Sequence, residues 1–347
     1  MGTHGVIIGR FMPPHNGHRY LIDFAAGCVD RLSVLVCTLS HEPIDGELRF
    51  GWVRKMFPEA NVVHITEENP SARKGSPDSY KIWARGITDS VGADIDFVFA
   101  SEDYGHRLAG ELGAVYVPVD PARSVFPVSA TMIRRNPMGS WRFVPAIVRP
   151  YFVRRVYVLS EGAGESDSLL EHFADHYRTV SVGDYVAYHA GRLGEGAISP
   201  EFAVRAQIAA EDALALQANR VLFSASDRVH AWIRAKNAGG AGSAGECGGP
   251  GPEGSGDSRG VRGAPGADLR KAPPPARPRN DWTRRRYLIN LPSGARDHDV
   301  DDKERLPILS EGLRHLSERG EDVRLLTGDW PERIARATEA VDDLLAD

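Results

Sequence analysis

The sequence predicts an α/β protein: a five-stranded parallel sheet in the first half, then a second α/β unit interrupted by a low-complexity insertion. Three observations lead there. Short runs rich in Val, Ile and Phe alternate with helix-like segments from residue 5 to about 135. The alternation resumes with VRRVYVLS at 153–160. From Asn237 to about Asn280 the composition turns to Gly, Pro, Ser and Arg, with about a third of the chain's 36 glycines.

In order, the strands of the first unit are GVIIG (5–9), SVLVCTL (33–39), NVVHIT (61–66), DFVFAS (96–101) and AVYVPVD (114–120). The segments between them, 17–29, 47–57, 79–91 and 103–112, fit helices. Strands separated by helices pair in parallel, with helices on both faces. Ligands bind beyond the carboxyl ends of such strands. The second unit offers strands at 153–160, 220–224, 284–292 and 322–328, and helices at 169–177, 201–217, 303–319 and 331–345. The domain boundaries follow: 1–150, then one unit in two parts, 151–236 and 281–347. Residues 237–280 hold too little apolar surface to offset ordering entropy and read as a disordered insertion.

Composition narrows the function classes. The 347 residues are 42% hydrophobic and 26% charged, with a formal net charge of −5. That balance offers no general attraction for nucleic acid or an anionic membrane, so any affinity for phosphate must be local. Neither a basic-then-apolar leader nor a run of 18 apolar residues occurs, and the expectation is a soluble cytoplasmic protein. Cys28, Cys37 and Cys247 lack the number and spacing for a disulfide framework or a zinc site, and no protein metal ligands are expected. Cys28 and Cys37 lie in apolar patterns and read as buried free thiols.

The chemistry concentrates in two stretches. The first strand leaves through GRFMPPHNGH (9–18). A glycine ending a strand lets a ligand approach the backbone, and Pro13 and Pro14 stiffen the turn. A helix opening at Gly17 and His18 would turn free N–H groups toward an anion, with His15 and His18 beside it. Alone, so short a motif fits a turn with two solvated histidines equally well. The second stretch, PVSATMIRR (127–135), follows the fifth strand and places Ser129, Thr131 and Arg134 where a helix would begin. Two hydroxyls, helix N–H groups and a guanidinium suit a pyrophosphate or triphosphate; an ordinary N-cap beside a solvated arginine is the alternative.

GRFMPPHNGH resembles the (H/T)xGH signature of the nucleotidyltransferase superfamily, and PVSATMIR its ISxTxxR-type motif. EPIDGELRFGWVRKMFP, FVFASEDYGHRLAGELGA and VDPARSVFPVSATMIRRNPMGSWRFVPAIVRPYFV are similar to one branch, the bifunctional nicotinamide mononucleotide adenylyltransferase/ribosylnicotinamide kinase family. The likeness is continuous over about 5–155 and weaker beyond. It implies a Rossmann-like nucleotidyltransferase domain that transfers a nucleotidyl group in line, with Mg²⁺ accompanying the pyrophosphate. His15, His18 and Arg134 would be the catalytic residues. Gly9, Arg10, Phe11, Gly17, Ser129 and Thr131 would bind the nucleotide. Tyr80 and Trp83, in KGSPDSYKIW, match the loop whose aromatic pair holds the acceptor; both are usually tryptophan in the family, and Trp83 also reads as a core helix residue.

The family's second half is a P-loop kinase, and here its loop departs from the pattern. In LSEGAGESDSLLEHFADHY, Ser166 occupies the lysine position, Glu165 a glycine and Asp167 the magnesium-binding Ser/Thr. The following acidic motif becomes LFSASD, with Ala225 for the first aspartate and Asp227 retained. The resemblance therefore implies a degenerate P-loop-kinase-like domain without kinase activity, left as a structural remnant or as a surface for homo-oligomerisation. The partners expected are small molecules: an NTP and a phosphate or phosphonate acceptor. Adenylylation of nicotinamide mononucleotide is the leading reading. A second is transfer of CMP to a small phosphonate such as phosphonoformate in phosphonate antibiotic biosynthesis. The third, a non-catalytic nucleotide-sensing regulator, is disfavoured by the acidic charge and by a first strand at residue 5, which leaves no room ahead of it for a helix-turn-helix.

Overall fold

Strands made of consecutive Val, Ile and Phe are apolar on both faces, and only a sheet covered on both faces buries them. In the computed structural model, which describes residues 2–66, 79–162, 164–188, 199–240, 282 and 284–346, two such sheets form. The chain divides into two compact units, Met1–Phe152 and Val153–Asp347.

The first unit contains β1 (His4–Gly9), α1 (Asn16–Ala26), β2 (Arg31–Cys37), α2 (Gly46–Met56), β3 (Asn61–Ile65), α3 (Ser79–Val91), β4 (Phe97–Ala100), α4 (Tyr104–Leu112) and β5 (Val115–Pro118). All pairings are parallel, in the order β3-β2-β1-β4-β5. On one face Ile7, Val34 and Phe99 pack with Leu21 and Ile22 of α1 and Val53 of α2. On the other, Val6, Leu35 and Val98 pack with Ala84 and Ile87 of α3 and Leu108 of α4. Strand order reverses between β1 and β4, and the crevice beyond their carboxyl ends is the topological switch point of an open α/β sheet. The chain then adds α5 (Ala130–Arg135) and α6 (Arg149–Phe152).

The second unit contains β6 (Arg154–Ser160), α7 (Asp167–His176), β7 (Ser181–Val182), α8 (Pro200–Ala215), β8 (Val221–Ser224), α9 (Arg228–Gly240), β9 (Arg285–Asn290), α10 (Pro307–Glu318), β10 (Val323–Leu326) and α11 (Trp330–Ala346). Its sheet, β10-β9-β6-β8-β7, is also parallel. Both sheets are those of the predicted fold class, a Rossmann-like domain followed by a P-loop-kinase-like one.

Three details differ from the sequence reading. α9 was not expected, and it continues to Gly240, past the Asn237 boundary. Residues 229–235 of this helix are buried all round, so no amphipathic stripe marked it. The helix expected from 303 begins at Pro307, because the Asp302 carboxylate folds the preceding residues into a turn by accepting from Glu304 N and Arg305 N. Cys28 is exposed rather than buried, since α1 ends at Ala26. The glycine- and proline-rich stretch beyond Gly240, with Cys247, lies outside the described residues. Among those described, no helix is long and apolar enough to cross a membrane.

Candidate functional site

The crevice at the switch point is built first by the exit from β1. Phe11 is 1% exposed and takes the left-handed conformation (φ 47°), a costly backbone for a bulky residue. Its ring lies so close to Gly9 that a Cβ there would come within 3.1 Å. His15 then caps α1. Its Nδ1 accepts from His18 N, while His18 Nδ1 accepts from His15 N, both at 3.3 Å. A Cβ on Gly17 would meet the His15 ring at 3.1 Å, so glycine lets the ring fold back over the helix start. The two rings stack at 3.7 Å, and Phe11 packs on His18 at 4.9 Å.

This reciprocal cap fixes the tautomers. A ring nitrogen that accepts from a backbone N–H carries no proton, so in each neutral imidazole Nε2 bears it. Both rings are neutral: burial, with Arg123 nearby, pushes His15 down to about 3. Burial, His15 and Arg123 in turn hold His18 well below its ordinary range. Neither Nε2 bonds another described residue. Together they offer two N–H donors without positive charge.

The second stretch joins the first directly. Ser129 caps α5, its hydroxyl accepting from Met132 N at 3.2 Å. Arg134 donates to Met12 O in the β1 exit and to Thr131 Oγ1 at 3.3 Å. Val128 lies 3.5 Å from where a Gly17 Cβ would stand. So His15, Gly17, His18, Phe11, Ser129, Thr131 and Arg134 come together, although over a hundred residues separate the two motifs.

Arg10 is exposed and pairs with Glu42 at 3.4 Å. Glu42 belongs to a device that the sequence reading missed. Arg49 of α2 is fully buried, bonds Glu42, and donates to Arg10 O at 2.7 Å and Cys37 O at 3.4 Å. It thereby ties together the exits of β1 and β2. An arginine on a helix whose neighbours are Leu48, Lys55 and Arg54 looks solvated; no local signal marks it as buried.

Tyr80 and Trp83 sit on the first turns of α3, the helix expected over 79–91, rather than in the loop before it where the family likeness puts the aromatic pair. Both are half-buried against the core, with ring centroids 5.9 Å apart, and Arg107 stands over Tyr80 at 5.9 Å. The KGSPD part of that loop is outside the described residues.

Among the described residues no group of three His, Cys, Asp or Glu side chains is disposed to hold a metal. The donor set around the histidines consists of N–H, hydroxyl and guanidinium groups, which suits an anion. A magnesium ion carried by a triphosphate is held largely by phosphate oxygens and water, so this donor set is compatible with one.

In the second unit the turn between β6 and α7 is closed by its own side chains. Glu165 turns back and accepts from Gly162 N at 3.0 Å, in space that any Cβ on Gly162 would occupy. Glu161 caps α10, accepting from Ile308 N at 3.1 Å and Leu309 N at 2.9 Å. Ser166 is 1% exposed. The carbonyls of Ser160 and Gly162 receive the buried guanidinium of Arg234, which is paired with Asp184 at 2.8 Å. His230 donates to Ser160 O as well, at 3.1 Å. Asp227 is occupied as the cap of α9, accepting from Val229 N and His230 N, and also accepts from Tyr287 Oη at 3.2 Å. A phosphate-holding turn must present free N–H groups. Here a carboxylate already holds one of them, and a guanidinium and an imidazole face the carbonyls.

No protein-family model matches the chain. Among curated proteins it is 29% identical over 210 residues to the trifunctional NAD biosynthesis/regulator protein NadR of Escherichia coli, covering 54% of this chain and 51% of that one. The Salmonella typhimurium protein of the same name is 28% identical over 208 residues, covering 54% and 50%. The chain thus spans about half the length of the curated relatives it matches. A solved NadR protein in complex with NAD and AMP-PNP aligns over 100% of this chain and 97% of its own, with a TM-score of 0.70 and 18% identity. The NadR structure in complex with NR gives the same values. At that identity the likeness is one of fold.

Proposed function

We propose that the first unit of this chain, which is similar to NadR proteins, is a nucleotidyltransferase that adenylylates nicotinamide mononucleotide, as in the bifunctional nicotinamide mononucleotide adenylyltransferase/ribosylnicotinamide kinase family. A phosphate oxygen of the acceptor attacks the α-phosphorus of ATP, the bond to the β-phosphate oxygen breaks, and pyrophosphate leaves. The observation that carries this reading is the reciprocal cap of His15 and His18, which leaves a proton on each Nε2. In this reading the two N–H groups hold α- and β-phosphate oxygens as charge moves onto them. Ser129, Thr131 and Arg134 hold the far end of the triphosphate, beside the Gly9–Phe11 backbone. Catalysis is then by positioning and preorganised electrostatics. A magnesium ion bound to the nucleotide would supply charge neutralisation for the leaving pyrophosphate. Tyr80 and Trp83 are the acceptor's aromatic contacts.

The second unit is proposed to lack kinase activity, supported by the Glu165 carboxylate inside its turn. That loss, and Tyr80 in place of a tryptophan, keep a second acceptor class in view, a small phosphonate taking CMP. Pyrophosphate release with Mg²⁺, crossing ATP and CTP against nicotinamide mononucleotide and a panel of phosphonates, tests both. Release with ATP and the mononucleotide is expected. Release only with CTP and a phosphonate transfers the assignment to the second acceptor. Nucleotide binding without release in every pair leaves a nucleotide sensor.

A further inference from the structure

The segment joining β5 to Ser129 is not a passive connection. Asp120 and Arg123 both take left-handed backbone, φ 45° and 52°, which is uncommon for residues with side chains. The Asp120 carboxylate organises the turn, accepting from the backbone N–H groups of Ser124 (2.7 Å), Val125 (3.2 Å) and Phe126 (3.1 Å) and from the Ser124 hydroxyl (3.1 Å). Arg123 N donates to Asp120 O at 2.9 Å. The segment is also anchored on α1: Phe126 packs on Tyr20 at 5.6 Å, and Val128 approaches Gly17. A backbone held this firmly, in strained conformations, fixes where its one cation projects.

That cation is Arg123. Its side chain is 44% exposed, and its charged partner among the described residues is Glu102, itself 62% exposed, at 3.0 Å. Glu102 stands just past the carboxyl end of β4, on the other side of the switch point from His15. The other guanidiniums described at the crevice are committed, Arg134 to Met12 O and Thr131, Arg10 to Glu42, and Arg49 to Glu42 and the Arg10 and Cys37 carbonyls. The positive charge of Arg123 reaches both histidine rings, helping to hold them neutral.

We propose that Arg123 is a further nucleotide-binding residue of this site, an arm that rests on Glu102 and exchanges it for the terminal phosphates of the nucleoside triphosphate. The exchange is favourable on simple grounds. An ion pair between two exposed side chains contributes little. A guanidinium on phosphate oxygens makes short, charge-assisted and often bidentate bonds. The preformed turn means that only the side chain has to move. Such an arm adds affinity for the triphosphate while a nucleoside monophosphate, too short to reach it, gains nothing. The inference rests on the nucleotidyltransferase reading above, and the experiment separates the two.

Binding of ATP, CTP and their monophosphates, with Mg²⁺, is measured by calorimetry for the full chain and for its Arg123→Gln and Glu102→Gln variants, alongside thermal midpoints. Arg123→Gln is expected to weaken the triphosphates roughly ten- to hundredfold, with monophosphate binding and the midpoint unchanged. Glu102→Gln is expected to bind the triphosphates as well as the natural protein or more tightly. Triphosphate affinity unchanged in Arg123→Gln, or triphosphate and monophosphate weakened alike, overturns the arm and leaves the nucleotidyltransferase standing. A natural protein that binds no nucleotide overturns both.

Discussion

His15 has one role seen in the structure and one proposed for it, and a suitable substitution separates them. As the cap of α1 its Nδ1 satisfies His18 N, and as a nucleotide ligand its Nε2–H would meet a phosphate. Alanine removes both, so its effect would be ambiguous. Asparagine is among the best capping residues and keeps an oxygen for the same N–H. His15→Asn should therefore retain the cap, which is worth about 1 kcal/mol. It forfeits the stacking of the rings at 3.7 Å, about 0.5–1.5 kcal/mol. A loss of stability of about 0.5–1.5 kcal/mol is expected, read from urea denaturation. The catalytic loss should be larger and of a different kind: removal of one preorganised donor costs on the order of 10²–10³ in rate, roughly 3–4 kcal/mol. The assay is continuous pyrophosphate release at saturating ATP and nicotinamide mononucleotide, with His18→Ala in parallel. If His15→Asn keeps its fold and works within about fivefold of the natural rate, the rings are caps and the argument from tautomers is refuted.

Other outcomes follow from the same geometry. Because burial keeps His15 and His18 neutral in the fold, the unfolded chain binds more protons below its ordinary pKa of about 6.5. Stability should then fall as pH drops from about 6.5, by about 1.4 kcal/mol per unit for each imidazole, for His15 until its folded value of about 3. Urea titrations at about pH 7 and about pH 5 should show a smaller acid loss in His18→Ala, and equal losses would contradict this. Arg49→Met leaves the Glu42 carboxylate buried without its main partner and should cost roughly 3–5 kcal/mol; a loss below about 1 kcal/mol would show that the pair is dispensable. Transfer of phosphate from ATP to nicotinamide riboside should be undetectable in the natural protein and in Glu165→Gly, since the buried Ser166 still stands where a lysine is needed. Turnover in either, followed with labelled ATP, would mean that the turn opens.

The sequence alone determined the alternation of elements in the first unit, and all of it but β7 and α9 in the second, because strands buried on both faces read as continuous apolar runs and most of their connections as 3.6-residue patterns. It also marked the donor groups of the candidate site: HNGH and SATMIR carry their N–H, hydroxyl and guanidinium groups within about a turn and a half of a helix start, a local property. The spacing in HNGH even encodes the reciprocal cap, since residues three apart at a helix start face each other's backbone.

What only the tertiary structure decided concerns groups whose partners lie far along the chain. Arg49 looked like one charge among several on α2 and became a buried tie between two strand exits, because burial is set by what packs above a residue. α9 escaped notice since a helix buried all round has no polar face to give a period. Tyr80 and Trp83 lie on the helix expected over 79–91, but that both are half-buried depends on the core beneath. The closing of the β6–α7 turn required knowing which way Glu165 folds. Substitutions in that turn led to the expectation that it holds no phosphate; only three-dimensional packing revealed that a carboxylate, a guanidinium and an imidazole occupy its backbone groups.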